Sequence, residues 1–399
     1  MKQRSLLRVP VRFALLALAL AFLAGCGGQL PTGVPPTIAV PPTRAPVQQP
    51  TPIRTGGGNV LPWLSVWFTD PNPPDRVGTG IDQYVIPVLN AARLSIDLAT
   101  FDFTLPSIAD ALVAASQRGV RVRVIVDDKN GEQELKQDDL LAKTGGKQPF
   151  QKLKDAGIPI VGGGRSNGLM HNKMIIVDRS TLFMGSWNMS YNDTYRNNNN
   201  LLQITNQKLI ENYQLEFNEG FEKRLFGARS TYVSANPKLV INDVAVENYF
   251  SPDDKVIAKL VAEVAAARQS VRFMIFTYTH ADLSTAMIAK MRAGVGVQGV
   301  IENRGASQGA FVPLFCAKVP VRLDGNKYTM HHKVIIIDNS VVITGSFNFT
   351  VSADTSNDDN ILIIRSPSVA SLYLAEYAKI FVEADPPTDP TKYNCTAPR

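Results

Sequence analysis

The chain has 399 residues, of which 45% are hydrophobic and 19% charged, with a formal net charge of +6. That apolar content excludes a chain disordered throughout, and the length calls for more than one domain-sized core. The charge is not a nucleic-acid footprint: Lys2, Arg4, Arg8, Arg12, Arg44 and Arg54 all precede residue 59, no acid does, and they account for the whole +6.

Residues 1–25 start with four of those basic side chains and continue into an apolar run at 13–23 that is too short to cross a bilayer. This is the order of the basic and apolar regions of an export signal. It closes on Leu23-Ala24-Gly25-Cys26, which resembles the bacterial lipoprotein signal. The resemblance implies lipidation of Cys26 and an extracytoplasmic protein anchored to the bacterial cell membrane. Residues 26–58 then carry prolines at 31, 35, 36, 41, 42, 46, 50 and 52 and end in Gly56-Gly57-Gly58. Such a stretch favours an extended, solvated tether.

The remainder reads as two related units, residues 59–230 and 231–385, with a tail at 386–399. Residues 92–104 line up with 267–279, and 118–127 with 293–302, both at an offset of 175. Each unit is expected to run helix, strand, helix, strand, loop, then a strand hairpin, a further strand and a terminal helix. The helices fall at 85–92, 107–118 and 209–221 in the first unit, and at 256–267, 283–292 and 369–381 in the second. Apolar or β-branched runs suited to buried strands lie at 94–101, 120–126 and 200–204, and at 271–276 and 360–364. The result is an α/β sandwich made twice.

The hairpins carry the chemistry. Residues 171–188 and 331–348 both read H-x-K-x4-D-x6-G-S-x-N. His171, Lys173, Asp178, Gly185, Ser186 and Asn188 match His331, Lys333, Asp338, Gly345, Ser346 and Asn348 at an offset of 160, so the first unit holds 15 extra residues between strand and motif. On an extended strand, residues two apart face the same side, so His and Lys project together. The apolar run that follows must be buried and holds the polar pair rigidly at the rim of a core. Lysine charge, serine and asparagine hydrogen bonds and an imidazole suit a tetrahedral phosphate. Ser186, Asn188, Ser346 and Asn348 are accordingly expected to bind the phosphate, and Asp178 and Asp338 to support the motif.

These paired motifs resemble those of the phospholipase D superfamily, over essentially all of residues 60–385. The resemblance implies two repeats packed around one pseudo-twofold active-site cleft, in a monomer with both half-sites in one chain. It implies a two-step reaction on a phosphodiester, with His171 and His331 as nucleophile and acid–base catalyst, Lys173 and Lys333 beside them, no cofactor and no metal. The expected substrate is a phospholipid head group; a metal-independent endonuclease on DNA or RNA and a cardiolipin-synthase-like phosphatidyl transferase are the alternatives. Family members place an acid 21 residues after the motif Asp, which here is Asp359 in the second unit but Asn199 in the first. Read within each unit, Asp359 would support His331 as an imidazolium acid, and Asn199 would orient a neutral His171 as the nucleophile.

Other residues are assigned more plainly. His332 faces the opposite side of its strand and is structural or exposed, His280 sits just after a strand, and Trp187 and Phe347 are core. Residues 311–315 are either a membrane-dipping loop or a buried anchor. Cys316 and Cys395 either form a disulfide clipping the tail to the second unit or stay free. The loops at 128–168 and 305–325 are where substrate preference would be set.

Overall fold

The computed structural model describes residues 58–128, 148–163, 168–387, 393 and 395. Cys26, the export signal and nearly all of the tether lie outside them, as does most of the loop holding the first unit's extra residues.

Two eight-stranded sheets share one topology. Numbered in chain order, the first sheet runs β1 (Gly58–Leu61), β2 (Leu64–Phe68), β8 (Asn200–Ile204), β7 (Thr181–Gly185), β6 (Met174–Val177), β3 (Ser95–Thr100), β4 (Arg121–Val126), β5 (Ile160–Gly162). The second runs β9 (Lys238–Ile241), β10 (Val244–Ser251), β16 (Asp359–Arg365), β15 (Val341–Gly345), β14 (Lys333–Ile337), β11 (Ser270–Ile275), β12 (Gly296–Ile301), β13 (Val321–Leu323). In each, the last three strands are parallel and the others antiparallel. Parallel neighbours need crossovers, and helices supply them: α2 (Pro106–Gln117) and α3 (Pro149–Asp155), then α7 (Ala281–Arg292) and α8 (Phe311–Cys316).

The period-2 pattern of the strands builds the layers. On β6, Met174 and Ile176 enter a core shared with the other sheet, while Ile175 and Val177 pack outward under α1 (Asp82–Ala91), α2 and α3. On β14, Val334 and Ile336 join the shared core, and Ile335 and Ile337 pack under α6 (Val256–Ala266), α7 and α8. The shared core also takes α5 (Gln207–Asn218) and α10 (Pro367–Glu383), through Tyr213, Phe217, Tyr373 and Ile380. Asn200 donates to Thr344 Oγ1 at 2.9 Å and Tyr373 Oη at 3.0 Å, so polar contacts also tie the halves.

Most expected elements stand within one to three residues of their places. Strands β1 and β2, and β9 and β10, which open the two units, were not anticipated, although β2 is buried along its whole length. Short helices α4 (Tyr191–Tyr195) and α9 (Val351–Thr355) were not anticipated either. The segment at 311–315 lies within α8, with Phe311 and Leu314 fully buried, which makes it an anchor. Tyr393 packs against Phe311 and Phe315, and Cys316 and Cys395 form a disulfide.

Candidate active site

The β6–β7 and β14–β15 hairpins turn through Asp178-Arg179 and Asp338-Asn339, all four at positive φ between 50° and 54°. Two consecutive left-handed residues match the twist of the flanking strands. The Asp178 carboxylate accepts from the backbone N–H of Arg93, Leu94 and Ser95 at 2.9, 2.7 and 2.9 Å. Asp338 does the same with Arg268, Gln269 and Ser270. The motif aspartates therefore lock the hairpin to the start of β3 or β11. Gly185 and Gly345 complete the hairpins at φ 150° and 156°; an added Cβ would meet the carbonyl oxygens of Asn200 and Asn360.

At the other end of β6 and β14 the repeats exchange chain. Met170 bridges Asp358, and His171 N donates to Asp358 O at 3.0 Å; Asn198 bridges Met330, and His331 N donates to Asn198 O at 2.9 Å. The segment before each histidine is thus hydrogen-bonded to the segment before the other repeat's last strand. This crossing corrects the pairing expected within each unit. His171 Nδ1 lies 2.6 Å from Asp359 Oδ1, and His331 Nδ1 lies 2.9 Å from Asn199 Oδ1. The carboxylate stands behind His171 and the amide behind His331.

The serines also require a correction. Ser186 Oγ donates to Asn199 Oδ1 at 2.8 Å and accepts from Asn200 N; Ser346 Oγ donates to Asp359 Oδ1 at 2.6 Å and accepts from Asn360 N. Both serines are fully buried, so their hydroxyls orient the histidine partners and are not available to a phosphate. Asn188 and Asn348 remain candidates, since each side-chain amide carries an N–H₂ group that can donate to a phosphate oxygen.

Lys173 Nζ donates to His171 O at 2.8 Å, and Lys333 Nζ to His331 O at 2.6 Å, which bends each ammonium back beside its own histidine. Phe101 and Phe276 cover them: Phe101 meets His171 edge-on at 5.0 Å with Lys173 at 5.4 Å, and Phe276 meets His331 at 4.7 Å with Lys333 at 4.7 Å. The two phenylalanines hold equivalent places in the repeat, a signal the sequence carried but which was not singled out.

Four basic groups share this space, and each histidine feels the lysines of both repeats. Burial, then the lysine charges, push His171 down to about 4 against the pull of Asp359. His331 falls well below the ordinary histidine range through burial and the charges of Lys333 and Lys173. Burial also lowers Lys173 to about 8, against the pull of Asp359, Asp193, Asp102 and Asp127. The site is therefore an under-compensated cationic hole, and an anion placed in it would draw protons onto these groups. Asp193, unnoticed in the sequence, sits 3.6 Å from His331 Nδ1.

The remaining residues lie elsewhere. His332 is fully buried, with its ring nitrogens toward Asn200 and Glu376, which makes it structural. His280 is the extended residue just before α7, and Trp187 and Phe347 are core.

A family model described as "Cardiolipin synthase, PLD-like domain" matches residues 85–220 and 260–381. Mitochondrial cardiolipin hydrolase from Xenopus laevis is 34% identical over 137 residues, which is 34% of this chain and 65% of that protein. Phospholipase D from Rickettsia prowazekii (strain Madrid E) is 33% identical over 134 residues, 33% of this chain and 65% of that protein. The chain thus spans just under two thirds of the length of these relatives. The structure of phosphatidylserine synthase from Haemophilus influenzae Rd KW20 shares the fold, with TM-score 0.59 and 13% identity across 78% of this chain and 86% of that one.

Proposed function

The chain belongs to the family described as cardiolipin synthase, PLD-like domain, and from that premise we propose that it is a phospholipase D-type hydrolase that removes phospholipid head groups. The observation that carries the reading is the pair of buried imidazoles held at Nδ1 from opposite repeats, with a buried lysine beside each. Anchoring Nδ1 as the donor leaves Nε2 of both rings for chemistry.

In the first step His171 Nε2 attacks phosphorus and the bond to the head-group oxygen breaks, while His331 gives that oxygen a proton. His171 is the nucleophile because Asp359 stabilises the positive charge its ring gains on attack. This keeps the expected role but reverses its reason. In the second step His331 takes a proton from water, the hydroxide oxygen attacks phosphorus, and the bond to His171 breaks, leaving phosphatidate. Lys173 and Lys333, with Asn188 and Asn348, hold the phosphate oxygens.

The names of the relatives and the near-neutral composition of residues 59–399 support a lipid over a nucleic acid. The same reading has Cys26 lipidated and the Pro- and Gly-rich segment acting as a tether, so that the site works at a membrane surface. The test is a panel of cardiolipin vesicles, phosphatidylcholine vesicles and supercoiled plasmid, assayed in EDTA with wild type and His171→Ala. Head-group release from a lipid, a phosphoenzyme trapped at low pH on His171, and loss of both in the variant by about 10⁴-fold or more are expected. Plasmid nicking without lipid turnover would replace the substrate class by nucleic acid, and a label on His331 would exchange the two roles.

A further inference from the structure

Deepening that reading, on which it rests, we propose that Asp193 is the charged positioning partner of His331, standing in for the carboxylate that Asn199 lacks. The two repeats hold one carboxylate each behind the opposite histidine, but at different places in the chain. In the second repeat it is Asp359, 2.6 Å from His171. In the first repeat the corresponding residue is Asn199, and the charge appears six positions earlier, at Asp193 on α4, 3.6 Å from His331 Nδ1. The position in α9 equivalent to Asp193 is Ala353, fully buried and chargeless. One repeat thus pairs Asp with Asn and the other Ala with Asp, so each keeps a single negative charge.

Asp193 is only 3% exposed and is held in place. Asn188 N donates to its Oδ2 at 2.8 Å and Asn197 Nδ2 to its Oδ1 at 2.5 Å. Asn199 is clamped by the same residue, since its Nδ2 donates to the Asp193 carbonyl at 3.1 Å while its Oδ1 receives His331 Nδ1. Asn199 therefore aims the ring, and Asp193 supplies the field. Lys333 and Lys173 both push His331 toward its neutral form, so its imidazolium needs a buried anion close by. Asp193 also acts on both lysines, alongside Asp359. The neutral amide alone leaves the acid–base histidine hard to protonate, and the carboxylate makes the proton transfer to the leaving oxygen workable.

The experiment follows the His331 ring by ¹⁵N NMR through a pH titration in inorganic phosphate, in the full chain. The variants are Asp193→Asn, Asn199→Asp and the double variant Asp193→Ala/Asn199→Asp, which rebuilds the Ala–Asp arrangement of the second repeat. In Asp193→Asn the His331 titration should move down by about one pH unit or more, with that of His171 little changed. On a phosphodiester substrate kcat should fall about 10- to 100-fold, with KM within about threefold. Asn199→Asp should move the His331 titration up, and the double variant should return it to the wild-type position. A double variant that titrates like Asn199→Asp alone, or an unmoved His331 in folded Asp193→Asn, overturns the proposal. The double-variant comparison decides even where Asp193→Asn does not fold. Wild type that turns over no phosphodiester at all would sink the hydrolase reading instead, and would leave the titration result standing by itself.

Discussion

Behind His171 the acceptor is a carboxylate at 2.6 Å, and behind His331 an amide at 2.9 Å, while Lys173 and Lys333 fold back onto the histidine carbonyls in the same way. The direct Nδ1 acceptors differ, carboxylate against amide, while the lysines are placed alike. All four basic groups lose protons relative to their ordinary ranges because they are buried together, and the pH dependence of the reaction should report this. Lys173, pushed down to about 8 by burial, is charged below that pH and neutral above it. Capture of an anionic substrate should therefore weaken as pH rises through about 8, with kcat/KM falling by up to about tenfold per pH unit beyond it. Arginine keeps its charge throughout this range. In Lys173→Arg, to the extent that activity survives the change of shape, the alkaline limb attributable to this residue should vanish. A wild-type profile flat to pH 9.5 would show that Lys173 does not carry the phosphate.

The hairpin is the element that makes the motif portable, because one short turn fixes both strand register and connection to the neighbouring strand. Its aspartate is the hinge of that arrangement. Burial pushes Asp178 up, but the three backbone N–H groups it receives outweigh this and hold it below the ordinary carboxylate range. A group depressed on folding adds stability above its unfolded pKa and loses it as pH falls through the folded value. Asp178→Asn should therefore lower stability by about 1–2 kcal/mol at pH 7. The difference from wild type should begin to shrink as pH falls below about 4, the unfolded value, and should close only below the lower folded value; thermal melts at pH 7 and pH 3 measure the trend. At this scale the sequence is highly legible. Spacing and apolar pattern located β6, β7 and β14, since those strands are buried on both faces and carry continuous apolar runs. Strands β2 and β10 escaped because nothing local distinguishes Leu64–Phe68 from a short buried loop. Besides their short local partners β1 and β9, they pair with β8 and β16, more than a hundred residues away in the chain.

At the scale of the molecule, what stayed out of reach was which half serves which. Aligning each motif with its own trailing acid invites the inference that Asp359 supports His331, and no pattern within one repeat contradicts it. The crossing comes from backbone pairing between residues 170 and 358 and between 198 and 330, a contact of two loops across the dyad. The Nδ1 acceptor of each histidine comes from the other repeat, so neither repeat contains a complete half-site. The coupling this implies is measurable by binding rather than turnover. Inorganic phosphate affinity can be determined for His171→Ala, Asp359→Asn and the double variant, beside the parallel cycle that replaces His331 by alanine. Residues in direct contact typically couple by about 0.5–3 kcal/mol, whereas separated ones add within about 0.5 kcal/mol. With Asp359 2.6 Å from His171, the first cycle should show the larger coupling and the second should be close to additive. The reverse ranking would restore the uncrossed arrangement, and with it the opposite account of which histidine attacks phosphorus.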